Sequence, residues 1–165
     1  MKKFIKRIRT SIYTLIAKLQ VKSIGNKCNV NALCKFTNMT VLGENCHFNG
    51  MRIYGKGNVI IGDNFHSGAE CMIITSFHNY DKGCKIPYDE TIIDKDVVIE
   101  NNVWIGHRVV ILGGVTLGEG CIIQAGSVVV KNIPAYAIAG GSPAVTFKYR
   151  DIEHYTKLKE QRAFF

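Results

Sequence analysis

Large aliphatic residues return every six positions along the second half of the chain: Ile93, Ile99, Ile105, Ile111, Leu117, Ile123 and then Val129. A second lane, Val97, Val103, Val109, Val115, Cys121 and Ser127, keeps the same step. A helix repeats every 3.6 residues and a simple strand every two, so neither produces this pattern. Three short strands per turn do, when one large and one smaller residue of each repeat point into a common axis. The tract reads as a β-solenoid.

The pattern extends upstream. Val30, Phe36, Leu42 and Phe48 form one lane, with Cys28, Cys34, Thr40 and Cys46 as its partner, after which the register slips by one residue. It resumes with Ile61, Ser67 and Ile73 beside Val59, Phe65 and Cys71. Gly43, Gly62, Gly106 and Gly118 each directly follow a large lane residue, where the chain must turn with little room for a side chain. We therefore expect one domain: an N-terminal basic helix over 1–25, a solenoid over 26–150 interrupted by a loop at 74–90, and a helical tail over 151–165. The interruption holds the stretch TSFHNYDKG, Thr75 to Gly83, centred on one histidine.

Composition narrows the function classes. The chain has 165 residues, 47% hydrophobic and 21% charged, and no run long and apolar enough to cross a bilayer as a helix. Nine of its 21 Lys and Arg precede the first acidic residue, Glu44, so the net charge of +8 belongs to the N-terminus. A charge so confined argues against a nucleic-acid groove across the body. Five of the six cysteines fall in the small-residue lane, where a free thiol packs as a compact apolar group. Cys84 alone lies in the interruption. No zinc-site spacing is present, and a reducing, cytoplasmic setting is expected.

The segment NNVWIGHRVVILGGVTLGEGCIIQAGSVVVKNIPAYAIAGGSPA, Asn101 to Ala144, resembles the C-terminal signature of hexapeptide-repeat acyltransferases. The nearest branch holds maltose and galactoside O-acetyltransferases, xenobiotic acetyltransferases and O-acetyltransferases of bacterial surface-polysaccharide synthesis. The resemblance implies an all-β fold, a left-handed parallel β-helix with an N-terminal amphipathic helix and a short C-terminal helix. It implies a homotrimer with acetyl-CoA, the acyl donor, bound between neighbouring prisms.

It also assigns roles. IGDNFHSGAECMIITSFH aligns without a gap to the family tract ending in the catalytic base, which makes His78 the residue that takes a proton from an acceptor hydroxyl. An imidazole with an ordinary pKa near 6.5 suits that task. Asn79, Tyr80 and Asp81 lie beside the base; Asn79 and Asp81 are expected to meet the acceptor, and Asp81 is the preferred partner of the imidazole. Each is equally readable as a turn residue. Trp104, the only tryptophan, sits between two inward lane residues and so points outward; the resemblance puts it at the subunit groove, where it is expected to contact the acceptor. His107, Ala125 and Gly126 are expected to contact the cofactor arm, and Lys131 and Lys148 its phosphates. The glycine amides of Gly106 or Gly126 are candidate oxyanion donors. A histidine after Ile-Gly binds zinc in gamma-class carbonic anhydrases, but the second ligand position, five residues after His107, is Leu112 here, so no metal is expected.

The resemblance thus points to an acetyl-CoA-dependent O-acetyltransferase acting on a sugar hydroxyl, in bacterial surface-polysaccharide biosynthesis. A xenobiotic or amino-sugar N-acetyltransferase and a non-catalytic trimeric scaffold are the alternatives. At the N-terminus Phe4, Ile5, Ile8, Ile12, Leu15, Ile16 and Leu19 recur at helical spacing among seven cations in 22 residues. Two readings stay open: a cap on the solenoid's end, or a peripheral contact of residues 1–22 with an anionic inner membrane face. The tail from Asp151, a candidate N-cap, is given no chemistry.

Overall fold

The period-six lanes become a triangular prism with three parallel sheets as its faces. A computed structural model describes residues 2–165; Met1, first residue of the expected helix, lies outside them. The first face carries β1 (Ser23–Ile24), β3 (Thr40–Leu42), β6 (Val59–Ile61), β11 (Val97–Ile99) and β14 (Thr116–Leu117). The second carries β2 (Asn29–Ala32), β4 (His47–Asn49), β7 (His66–Ala69), β12 (Trp104–Ile105), β15 (Ile122–Ile123) and β17 (Ala137–Gly141), closed by the antiparallel β18 (Ala144–Tyr149). The third carries β5 (Arg52–Tyr54), β8 (Met72–Ile74), β13 (Val110–Leu112) and β16 (Val128–Val129).

Parallel register places equal positions of successive coils above one another, as Val98 stands over Ile60 and under Thr116. Both lanes point inward: Val97, Ile99, Val103, Ile105, Val109 and Ile111 are all buried. Each such side chain stabilises by roughly 1.5–3 kcal/mol relative to exposure. The lower coils use rings instead, Phe48 lying 5.2 Å from Phe36 and 5.4 Å from Phe65. Cys28, Cys34, Cys46, Cys71 and Cys121 are free and buried in the small-residue lane, while Cys84 is exposed. Burial pushes the Cys121 thiol up to about 12.

Two devices turn the corners. A Cβ on Gly106 would stand 2.5 Å from the Ala125 amide nitrogen, so the next coil leaves no space for one. At another corner Asn45, Asn64 and Asn102 adopt φ of 53°, 54° and 60°, a left-handed conformation that asparagine tolerates. Their side chains form a ladder: Asn45 donates to Asn64 over 3.0 Å, and Asn64 to Asn102 over 2.8 Å. Each rung satisfies polar groups that the corner would otherwise strand.

One lane position differs from the sequence reading. Ile93 is 40% exposed and lies outside the prism, in a hairpin of β9 (Ser76–His78) and β10 (Ile92–Asp94). Thr75 is still buried and Val97 is the next buried residue, so the chain leaves the solenoid over 76–96. Ile93 keeps the six-residue step by coincidence of spacing, because pairing with Phe77 rather than stacking fixes its direction.

Helix α1 (Lys2–Gln20) lies on the exposed edge of β2. Thr14 Oγ1 accepts from the Val30 amide at 3.0 Å and Gln20 Oε1 from the Phe36 amide at 2.7 Å, so side chains occupy edge donors of the first coil. Helix α2 (Ile152–Glu160) begins at Asp151, whose carboxylate accepts from the His154 amide at 2.9 Å. It rests on the corner beside Asn102 and Glu119 rather than across the far end.

Candidate active site

His78 stands where the third face would turn into the first. Thr75 anchors that point: its amide and hydroxyl both donate to the Tyr54 carbonyl, at 2.8 and 2.9 Å, and its carbonyl accepts from Lys95. The antiparallel pairing then sets Ile92 opposite His78, and Ser76 hydrogen-bonds the Asp94 carboxylate across the hairpin. The result is an exposed imidazole on a clamped base.

The His78 ring stacks on Tyr88, with centroids 3.8 Å apart and planes at 17°. Asp81, the partner expected from sequence, is exposed and, among the described residues, makes no hydrogen bond or ion pair to His78. Asn79 turns its carbonyl oxygen to the Lys82 amide at 3.2 Å, which closes the local turn. Nothing in the local pattern singles out Tyr88; only the folded hairpin brings it back. Its own loop is held by Asp89, whose oxygens accept from the Thr91 and Cys84 amides at 2.9 and 3.1 Å. Those amides hold the Asp89 carboxyl below its usual range.

His78, Asn79 and Asp81 line a cavity of about 450 Å³ with Leu112, Gly113 and Val130 of the third face. Lys131 follows Val130 and is exposed at the same corner. Trp104 lies elsewhere. It is 53% exposed on the second face, lining a cavity of about 430 Å³ with His66, Asn102, Arg150 and Tyr155, which Phe164 and Phe165 overhang. Burial lowers the pKa of both His66 and His47, whose rings stack at 4.3 Å, and the His47 charge lowers His66 further. This second cavity was not foreseen, because its walls come from residues 64 to 165.

His107, Ala125 and Gly126 occupy the corner between the second and third faces on consecutive coils, all exposed. The Gly126 amide donates to the His107 carbonyl at 2.8 Å, and the Gly106 amide to Ile123 at 2.8 Å. Neither glycine N–H is therefore available as an oxyanion donor, contrary to the expectation; the coil-to-coil ladder consumes both. The Cα side of Gly126 is open, with nothing within 4 Å of a Cβ built there, so an extended ligand meets bare backbone. Lys148 is exposed on β18, opposite Ile138. Among the described residues no group of three or more His, Cys, Asp or Glu stands close enough to hold a metal.

A single chain thus separates the residues that the resemblance groups together. His78 sits on one corner, the small residues on another, and the tryptophan on the second face.

Comparison with known proteins bears on this arrangement. Residues 96–131 match the family model for bacterial transferase hexapeptide (six repeats). A galactoside O-acetyltransferase of Lactococcus lactis is 33% identical over 111 residues, covering 62% of this chain and 52% of that protein. Among solved structures, a galactoside acetyltransferase in complex with coenzyme A superposes with a TM-score of 0.74 at 26% identity, over 86% of this chain and 72% of that one. A hexapeptide-repeat acetyltransferase from Vibrio cholerae, complexed with acetyl coenzyme A, gives 0.71 at 26% identity, over 84% and 76%. These likenesses make the solenoid a left-handed parallel β-helix. The chain spans between 26% and 56% of the length of the curated relatives it matches.

Proposed function

We propose that this chain, which carries the hexapeptide-repeat solenoid of the acyltransferases, transfers an acetyl group from acetyl-CoA to a sugar hydroxyl, with His78 as general base. The observation that carries the reading is an exposed imidazole on a hairpin expelled from an otherwise unbroken solenoid, in a chain similar to acetyltransferases that bind coenzyme A. A neutral imidazole nitrogen of His78 takes the acceptor's hydroxyl proton as that oxygen bonds to the thioester carbonyl carbon. The carbonyl electrons return as the carbon–sulfur bond breaks, and the proton passes from the imidazolium to the departing thiolate. No acyl-enzyme forms.

Stacking on Tyr88 holds the imidazole at a fixed tilt, so little orientation is lost when an acceptor arrives. Asn79 and Asp81 are the acceptor contacts at the same cavity. Trp104 supplies the apolar wall that sugar rings pack against, from a neighbouring copy in a homotrimer. The separation of corners supports an assembly of several copies, and the homotrimer is part of this reading: one chain's His78 would meet another's bare corner at Ala125 and Gly126 across a subunit boundary. That corner fits an extended pantetheine arm, with His107 beside it, while Lys131 at the His78 corner and Lys148 on β18 are assigned to the phosphates. We further assign the enzyme to surface-polysaccharide biosynthesis in the cytoplasm, with residues 1–22 in peripheral contact with the inner membrane face.

The test is release of free coenzyme A from acetyl-CoA with a panel of sugars, amino sugars and nucleotide sugars. Activity with a hydroxyl acceptor that falls on the order of 100-fold or more in His78→Ala, at unchanged thermal stability, is the expected outcome. Retention within about tenfold sinks the assignment of the base.

A further inference from the structure

We propose that the outward face of α1 is a docking surface for an anionic phospholipid bilayer. The inference sharpens the membrane contact named above and is independent of His78 chemistry. It rests on which side of the helix the solenoid uses. Successive residues step by about 100° around the axis. Tyr13, Thr14, Ala17 and Gln20 fall on one side, where Ala17 is 2% exposed and Thr14 and Gln20 accept from the amides of Val30 and Phe36. The cap is thus built from the small and polar face.

The large side chains point the other way. Phe4, Ile5, Ile8, Ile12, Leu15 and Leu19 form a stripe roughly 100° wide on the opposite side. They are exposed by 46 to 82%. A monomeric soluble surface scatters such residues singly; six in one stripe mark a contact that the single chain does not satisfy. From Phe4 to Leu19 the stripe runs about 22 Å along the axis, too straight and too shallow for a compact pocket.

Charge selects the occupant. Arg7 and Lys18 border one edge of the stripe and Arg9 the other, and α1 has no acidic residue. An apolar protein groove leaves three such cations without partners, whereas anionic headgroups supply one for each while the stripe enters the acyl boundary. Among the described residues no helix is long and apolar enough to cross a membrane, so the geometry is in-plane. The solenoid then stands on the water side with its first coil nearest the lipid. Acceptors carried on membrane lipid would reach the hairpin from below.

Flotation of the full-length protein tests this, with phosphatidylcholine vesicles against vesicles containing roughly one third phosphatidylglycerol. The protein is expected to float with the anionic vesicles alone. Ile8→Ser with Leu15→Ser should lower partitioning at least about tenfold. Arg7→Gln, Arg9→Gln and Lys18→Gln together should lower it on the order of 100-fold and weaken its salt sensitivity. Because every substituted side chain is exposed, the unfolding midpoint should not move. Absent flotation, or flotation unchanged by the stripe substitutions, overturns the proposal. So does a stripe variant whose assembled mass falls in light scattering while wild type fails to float, which assigns the face to a second copy. Acetyl transfer to a soluble acceptor stays at wild-type rate in these variants, and flotation stays intact in His78→Ala, so the two readings fail separately.

Discussion

Two of the molecule's cavities, those beside Trp104 and His78, are of nearly equal size and are built by opposite means. The one beside Trp104 is walled by solenoid coils and by α2, which a polar network fixes: Tyr155 donates to Glu119 at 3.0 Å and accepts from Asn102 at 2.8 Å, and Lys159 pairs with Glu119 at 2.6 Å. The one beside His78 is walled on one side by the third face and on the other by a hairpin whose residues are mostly exposed. The first inherits the rigidity of the stacked coils. The second trades burial for reach, as the proposed role of His78 requires.

Substitutions can break this contrast. The largest effect is expected from Gly106→Ala, where a Cβ meets the next coil's backbone at 2.5 Å. A loss of about 3 kcal/mol in chemical denaturation is expected, because backbone rather than a flexible side chain must move. Tyr88→Ala should leave stability within about 0.5 kcal/mol, its side chain being exposed, yet lower turnover about tenfold by freeing the His78 ring. A stability loss with unchanged turnover would erase the distinction between the cavities. Tyr155→Phe should cost about 1 kcal/mol through the Glu119 and Asn102 bonds while leaving turnover at His78 intact.

The cavity beside Trp104 should also sense pH. Burial depresses His47 and His66 in the folded state, so the unfolded chain, with histidines near 6.5, binds protons that the folded chain refuses. Stability is then fully present above that value and declines as pH falls through it. A melting midpoint about 2–4 °C lower at pH near 5.5 than near 7.5 is expected, with a flatter profile in His66→Gln. The smallest effect concerns thiols: a disulfide reagent should modify Cys84 at once and the five buried cysteines only on unfolding.

Much of this was legible in the residues. The lanes at Ile99, Ile105 and Ile111 point to the solenoid because neither a helix nor a simple strand repeats every six residues, and the corner glycines follow from the same stacking. His78 is marked by interruption of the lanes together with its aligned tract. Tyr88 is not, since only the pairing of β9 with β10 returns it to the histidine. Asp81 is the partner the sequence suggests, an adjacent carboxylate that would favour an imidazolium, yet the turn closed by Asn79 and Lys82 leaves it, among the described residues, without a hydrogen bond or ion pair to His78. The Gly106 and Gly126 amides were attractive as donors because the sequence does not display the ladder that occupies them.

The N-terminal helix draws the line most clearly. Its sequence determined that an amphipathic basic helix opens the chain, since periodicity is a local property; the helix, expected over 1–25, spans Lys2–Gln20, because Ser23–Ile24 already pair with β3 in the first face. Which face meets the solenoid was decided by the edge of β2, whose amides at Val30, and farther along at Phe36, need acceptors that only Thr14 and Gln20 provide. Repeats and helices are specified by neighbours in the chain, so the sequence determined them alone. Partners across the fold are chosen by unsatisfied polar groups and free surface, which exist only once the tertiary structure has formed.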